Sequence, residues 1–155
     1  MIKATVISDA SHCPRLKVGG WAAWVRVDNF RIPIKGYGVI KGNPSDATVA
    51  EIYAALNGVW LATQYGAQDI LLQTDCLAVV NLVKMTAKSE RIIRIWREAI
   101  DHAWYRKVKN LDARHVPGHR EIHNAATFVQ DWCDQHAGKA MRAARNGNNM
   151  FEVSP

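Results

Sequence analysis

The sequence predicts an α/β domain with a five-stranded mixed sheet, made of a three-strand antiparallel meander and two parallel strands and flanked by helices. Three strand-like apolar runs come first along the chain, and two later ones alternate with segments whose apolar residues recur at helical spacing. Strands joined by short turns pair antiparallel, whereas strands joined through helices pair parallel. The 155 residues are enough for one core of this kind.

The meander is predicted within the first 40 residues. Residues 2–8 have the character of a central strand, and residues 19–28 and 31–40 form the next two. Asp28 and Asn29 accept the backbone geometry of a tight turn between them. The loop "KGNPSD" follows, because Gly, Asn and Pro interrupt regular structure.

The first helix is predicted from about Thr48 to Tyr65. Its apolar residues recur three and four positions apart. Thr48 is expected to be the N-cap, with Glu51 three residues later completing a capping box. Gly66 would end the helix.

The second half of the chain alternates strands and helices. "QDILLQTD" and "NLDARHV" are the fourth and fifth strands, and "LAVVNLVK" is a short helix. "SERIIRIWREAIDHAWYR" is a longer helix capped by Ser89, and the last helix covers about residues 124–144 with Asn124 as its cap. We therefore expect a single domain over residues 1–145 and a flexible C-terminal tail over residues 146–155.

Composition excludes several classes of protein. No apolar run is long enough to span a membrane, and the N-terminus lacks a signal-peptide pattern. Cys13, Cys76 and Cys133 are widely spaced, which argues against a disulfide framework or a zinc cluster. We expect an intracellular, cytoplasmic protein without a membrane partner. The net charge of +6 is compatible with a polyanionic partner but does not establish one.

Four acidic residues form a candidate metal site. Asp9 and Asp75 each follow a predicted strand, and they converge if the two strands are parallel neighbours. Glu51 lies near the start of the first helix, and Asp134 lies in the last helix within "WCDQHA". Each has an ordinary alternative role, as a loop-starting residue, a capping partner or a solvated helix residue.

As a set, these carboxylates point to a divalent cation. Clustered acidic groups repel one another unless cations neutralise them. Hard oxygen ligands select Mg²⁺ or Mn²⁺, and a pair of such ions is a common means of cleaving phosphodiester bonds.

The motifs around these residues resemble those of type 1 ribonucleases H. In order along the chain from Thr5 to Ala137 they read "SDAS", "GGWA", "VAEIYAAL", "QTDC", "VPGH" and "WCDQHA". The resemblance implies a ribonuclease H-like fold. It also implies a Mg²⁺-dependent endonuclease that hydrolyses the RNA strand of RNA–DNA hybrids and leaves 5′-phosphate and 3′-hydroxyl ends.

The resemblance also implies roles for individual residues and a monomeric protein. His119 would move protons or ease product release from a loop near the leaving group. Two Mg²⁺ ions, or Mn²⁺ as a substitute, would be held by Asp9, Glu51, Asp75 and Asp134. The candidate substrate contacts are Ser11, Arg15, Thr48 and Cys76.

The chain departs from the family pattern at three places. The interval from His119 to Asp134 is longer than in the bacterial enzymes, which leaves Asp131 as an alternative fourth carboxylate. Asp46 stands in the expected nucleic-acid-binding loop, where it would repel a phosphate. A basic insertion between the middle helices is missing, so the basic residues of 84–114 are either a solvated face or a phosphate track.

Two other functions stay open on sequence alone. The first is a Holliday-junction resolvase, or another DNA-cutting nuclease of this fold, which would act without a 2′-hydroxyl group. The second is an inactive hybrid-binding module, against which the presence of all four carboxylates argues.

Overall fold

The computed structural model describes residues 1–118 and 124–155, and within them six strands form one sheet. The strands are β1 (Lys3–Cys13), β2 (Val18–Val27), β3 (Ile34–Val39), β4 (Asp69–Thr74), β5 (Asn110–His115) and β6 (Phe151–Ser154). The helices are α1 (Ala47–Gln64), α2 (Leu77–Val83), α3 (Glu90–Ile100) and α4 (Ala125–Arg145), with a 3₁₀ helix at Ala103–Lys107.

The sheet is mixed, as the sequence predicts. Its strand order is β5-β4-β1-β2-β3-β6. β1, β2 and β3 pair antiparallel as a meander, and β4 pairs parallel with both β1 and β5. This arrangement confirms the predicted fold class and makes β1 and β4 neighbours that point the same way.

The sixth strand corrects two predictions, the count of five strands and the flexible tail over residues 146–155. β6 pairs antiparallel with β3, and the Val39 amide donates to the Met150 carbonyl at 2.8 Å. The Tyr37 hydroxyl also donates to the Glu152 carboxylate. A four-residue edge strand contains too few alternations for its periodicity to be recognised, and its stability comes from pairing with β3.

α1 and α4 cover opposite faces of the sheet. Side chains alternate along a strand, so Val6 packs into the core cluster that includes α1, and Ile7 packs into the cluster beneath α4. Ile52 and Val59 of α1 are fully buried in the first cluster, and Cys133 of α4 is fully buried in the second. Both helices therefore pack against β1, the strand that carries Asp9.

The helix caps agree with the sequence analysis except at α1. Ser89 and Asn124 cap α3 and α4 as predicted. The predicted cap at Thr48 is wrong: Asp46 caps α1, and its Oδ1 accepts from the Val49 amide at 2.9 Å. The Asp46 backbone is extended, which lets its carboxylate accept a hydrogen bond from an amide at the start of α1. Because α1 begins at Ala47, Thr48 lies inside the first turn.

No helix in the described part of the chain is both long and apolar enough to cross a membrane.

Candidate active site

Three of the four predicted carboxylates meet at one edge of the sheet. In the parallel pairing of β1 with β4, Ile7 lies opposite Gln73, so Asp9 and Asp75 both follow two residues later at the same edge. Glu51 reaches them from α1, and one carboxylate oxygen of each residue lies within 4.8 Å of the other two. We call Asp9, Glu51 and Asp75 the acidic cluster.

Hydrogen bonds from a single backbone amide tie two members of the acidic cluster together. The Ala10 amide donates to Asp9 Oδ1 at 3.0 Å and to Glu51 Oε1 at 3.3 Å. Glu51 Oε2 is buried and has no hydrogen-bond partner in residues 1–118 and 124–155. A buried carboxylate oxygen without a donor is costly, and a bound cation would satisfy it.

Burial and electrostatic repulsion raise the pKa values of Asp9 and Glu51. Burial, followed by the charges of Asp75 and Asp134, raises the pKa of Asp9 to about 7. Burial, followed by the charges of Asp9 and Asp75, raises the pKa of Glu51 to about 9. A divalent cation would therefore bind with release of protons, because it stabilises the ionised carboxylates.

The donor atoms of the acidic cluster suit a hard divalent cation. All three residues offer carboxylate oxygens, the ligands that Mg²⁺ and Mn²⁺ prefer. Cys133 lies nearby, but burial raises the pKa of its thiol and its Sγ donates to the Ile7 carbonyl. It is therefore a neutral packing residue, and the acidic cluster can hold Mg²⁺ or Mn²⁺ through oxygen alone.

Asp134 and Asp131 of α4 do not belong to the acidic cluster, but both lie beside it. They line a cleft together with Asp9, Asp75 and Gly118. The charge of Asp134 is one of the causes of the raised pKa of Asp9. This electrostatic contact favours Asp134 as the fourth carboxylate, and both residues are exposed enough to turn toward a ligand.

Three of the four predicted substrate contacts are within three residues of a member of the acidic cluster in the sequence. Ser11 follows Asp9 by two residues in β1, so both side chains leave the same face of the strand. Thr48 lies in the first turn of α1, and Cys76 is the N-cap residue of α2, where its amide donates to Thr74 Oγ1. Arg15 lies in the exposed turn between β1 and β2.

Gly118 is a residue of the site to which the sequence analysis gave no role. A Cβ atom built on Gly118 would lie 2.6 Å from Asp75 Oδ2, so a larger residue at this position would have to displace the Asp75 carboxylate. Its sequence signal is the Pro-Gly pair that follows β5 in "VPGH". His119, predicted to act next to it, lies outside the described residues.

Asp46 does not stand as a free negative charge in the loop before α1. Its Oδ2 lies 2.6 Å from Nη2 of Arg91 in the first turn of α3. The expected repulsion between Asp46 and a phosphate is therefore reduced. Arg91 is also less available as part of a phosphate track over residues 84–114, because it already has a carboxylate partner.

Solved structures that resemble this chain include ribonuclease H domains. The N-terminal RNase H domain of a Mycobacterium tuberculosis protein superposes with a TM-score of 0.72 at 19% identity, covering 95% of this chain and 99% of that chain. RNase H1 from Halobacterium salinarum superposes with a TM-score of 0.69 at 17% identity, covering 90% of this chain and 98% of that chain. LC11-RNase H1 in complex with RNA/DNA hybrid superposes with a TM-score of 0.70 at 14% identity, covering 92% of this chain and 99% of that chain.

Sequence comparison leads to the same family. No curated protein sequence matches this chain closely enough to count as a relative. The family described as reverse transcriptase-like matches residues 16–133, which is more than half of the chain and includes Glu51 and Asp75. The chain therefore belongs to the reverse transcriptase-like family and has the fold of type 1 ribonucleases H, which confirms the resemblance found in the sequence.

Proposed function

We propose that the protein is a metal-dependent endonuclease that hydrolyses the RNA strand of RNA–DNA hybrids. The observation that carries this proposal is the acidic cluster, in which three carboxylate oxygens lie within 4.8 Å and Glu51 Oε2 is buried without a partner. The hybrid as substrate is supported by LC11-RNase H1, which shares the fold and whose structure is a complex with RNA/DNA hybrid.

In this proposal Asp9, Glu51, Asp75 and Asp134 hold two divalent ions, Mg²⁺ or Mn²⁺. Bound there, the ions would supply an activated water and stabilise the leaving oxygen of the phosphodiester bond, giving 5′-phosphate and 3′-hydroxyl ends. The Ala10 amide orients the carboxylates of Asp9 and Glu51 through its two hydrogen bonds. Burial of these groups strengthens their attraction to cations, because the local dielectric is low.

Other residues contribute around this centre. Gly118 lets the segment after β5 approach Asp75, and His119, the next residue in sequence, is proposed to move a proton on the leaving side. The proposed substrate contacts are those expected from the sequence: Ser11, Arg15, Thr48 and Cys76.

A cleavage assay tests the proposal directly. Labelled RNA–DNA hybrid, double-stranded RNA, double-stranded DNA and a four-way junction are each incubated with Mg²⁺, Mn²⁺ or EDTA. Cleavage of the hybrid alone is expected, and only with a metal ion. Asp9→Asn should reduce the rate about a hundredfold or more, equivalent to about 2.7 kcal/mol of transition-state stabilisation.

The matched control is Asp28→Asn, which makes the same change at an exposed turn residue and should leave the rate unchanged. Cleavage of the junction or the DNA duplex in place of the hybrid would contradict the proposal and support a DNA-cutting nuclease. Hybrid binding without cleavage in any metal would support an inactive binding module.

A further inference from the structure

A groove runs from the acidic end of the sheet along α4. It has a volume of about 600 Å³, and one of its walls is the Ser11 region of β1. Its lining residues are Ser11, Asp134, Gln135, His136, Gly138, Lys139 and Arg142. The groove therefore begins at the proposed fourth carboxylate and extends toward the basic end of the helix, where α4 carries Arg142 and Arg145 in its last turn.

Arg142 turns back along α4 toward this acidic end. Asp134, Gly138 and Arg142 are four residues apart, so they lie on one stripe of the helix. A Cβ atom built on Gly138 would lie 3.1 Å from Arg142 Nη1. The Arg142 guanidinium group thus lies over Gly138, in the space that a larger side chain at position 138 would occupy. It is therefore on the Asp134 side of the Arg142 Cα atom.

The cations of the groove have no carboxylate partner within the described ranges. The two ion pairs among the described residues, Lys84–Asp112 and Arg91–Asp46, involve no residue of the groove. Lys139 Nζ lies 5.5 Å from the centroid of the Tyr37 ring. The Arg142 side chain is exposed and makes no hydrogen bond to the described residues, so it is available to an anionic ligand.

We propose that Arg142 binds a backbone phosphate of the nucleic-acid substrate on one side of the scissile bond, assisted by Lys139 and the Ser11 hydroxyl. A guanidinium group can donate two parallel hydrogen bonds to a phosphate, and a serine hydroxyl can donate a third. Ser11 leaves the same face of β1 as Asp9, which joins this contact to the proposed cleavage centre. The inference rests on the proposed function.

Arg142 and Lys139 would also supply positive charge for substrate binding in a chain that lacks a basic insertion between its middle helices. A phosphate near Asp134 meets a carboxylate, and the positive charges of Arg142 and Lys139 offset that repulsion. Each phosphate neutralised by a cation releases counterions, so affinity should fall with salt by about one logarithmic unit per unit of log salt for each contact.

The test compares Arg142→Gln with Arg145→Gln. Both remove one positive charge from the last turn of α4, but Arg145 does not line the groove. Binding of a labelled hybrid is measured by fluorescence anisotropy in EDTA, and steady-state cleavage is measured with Mg²⁺. Arg142→Gln should raise Kd and KM about five- to tenfold, change kcat less than twofold and lower the salt slope by about one. Arg145→Gln should change Kd less than twofold.

A chemical version of the test locates the contact on the substrate. A series of hybrids carries one neutral methylphosphonate each, placed in turn at every position of both strands. One position near the cleavage point should weaken binding of the wild-type protein and of Arg145→Gln, but not of Arg142→Gln, because the contact is already lost there.

The outcomes separate this inference from the proposed function. Equal effects of Arg142→Gln and Arg145→Gln, or an effect on urea stability alone, would overturn the inference and leave these arginines as partners of the helix dipole. Wild-type cleavage of hybrid would still stand in that case. A wild-type protein that neither binds nor cleaves hybrid would instead overturn the proposed function.

Discussion

Replacing Glu51 with Gln should stabilise the metal-free protein at alkaline pH. The folded protein raises the pKa of this carboxyl from 4.5 to about 9, mainly through burial. Between these two values the folded state holds a proton that the unfolded state has released. The free energy of unfolding therefore falls as the pH rises through this window.

The size of the effect follows from that shift. One pKa unit corresponds to about 1.4 kcal/mol, which sets a ceiling of about 5 kcal/mol at pH 8. Asp9 shares the same cluster and its pKa is raised to about 7, so the two effects overlap. We expect Glu51→Gln to gain about 2–3 kcal/mol, because its amide keeps the shape, can accept from the Ala10 amide and can donate to Asp9.

Urea unfolding followed by tryptophan fluorescence measures this gain. Wild type, Glu51→Gln and the exposed control Asp28→Asn are unfolded at pH 5, 6.5 and 8 in EDTA. The urea midpoint of Glu51→Gln at pH 8 should lie about 1–2 M above that of wild type, and the control should match wild type. Added Mg²⁺ should stabilise wild type more than Glu51→Gln. A wild-type stability that is constant from pH 5 to 8, or a Glu51→Gln variant that is no more stable than wild type at pH 8, would contradict this prediction.

Three further predictions concern packing around the site. Gly20→Ala should lower the free energy of unfolding in urea by more than about 3 kcal/mol, because the new Cβ would clash with the backbone oxygen of Ala137 in α4; a loss below about 1 kcal/mol would contradict this. Gly118→Ala should reduce hybrid cleavage about tenfold or more with little change in unfolding free energy, because the new Cβ displaces the Asp75 carboxylate; unchanged cleavage would argue against that approach. Tyr37→Phe should cost about 1 kcal/mol by removing the hydrogen bond to Glu152, and an unchanged urea midpoint would show that this bond does not stabilise β6.

The sequence was sufficient for those parts of the site that depend on local patterns. Asp9 and Asp75 each follow the apolar stretch over which β1 and β4 pair in parallel, so their convergence could be predicted and is observed. Ser89 and Asn124 could be recognised as caps because a cap bonds to backbone only three residues away.

Two of the errors fall where a partner distant in sequence decides the outcome. Asp46 caps α1 in place of Thr48 and is held there by Arg91, which lies 45 residues further along. The chain end becomes β6 because β3 offers it an unpaired edge. Neither contact leaves a periodic or capping signal in the local sequence.

By itself, the sequence determined the order of the first five strands and the four helices, the convergence of Asp9 and Asp75, and the family to which the chain belongs. Only the tertiary structure decided that Glu51 is buried with an unpartnered oxygen, that Gly118 lies against Asp75 and that Arg142 turns toward the acidic end of the sheet. The physical reason is that burial and electrostatic repulsion depend on distances in space. Local propensity is a property of neighbours along the chain and carries no information about those distances.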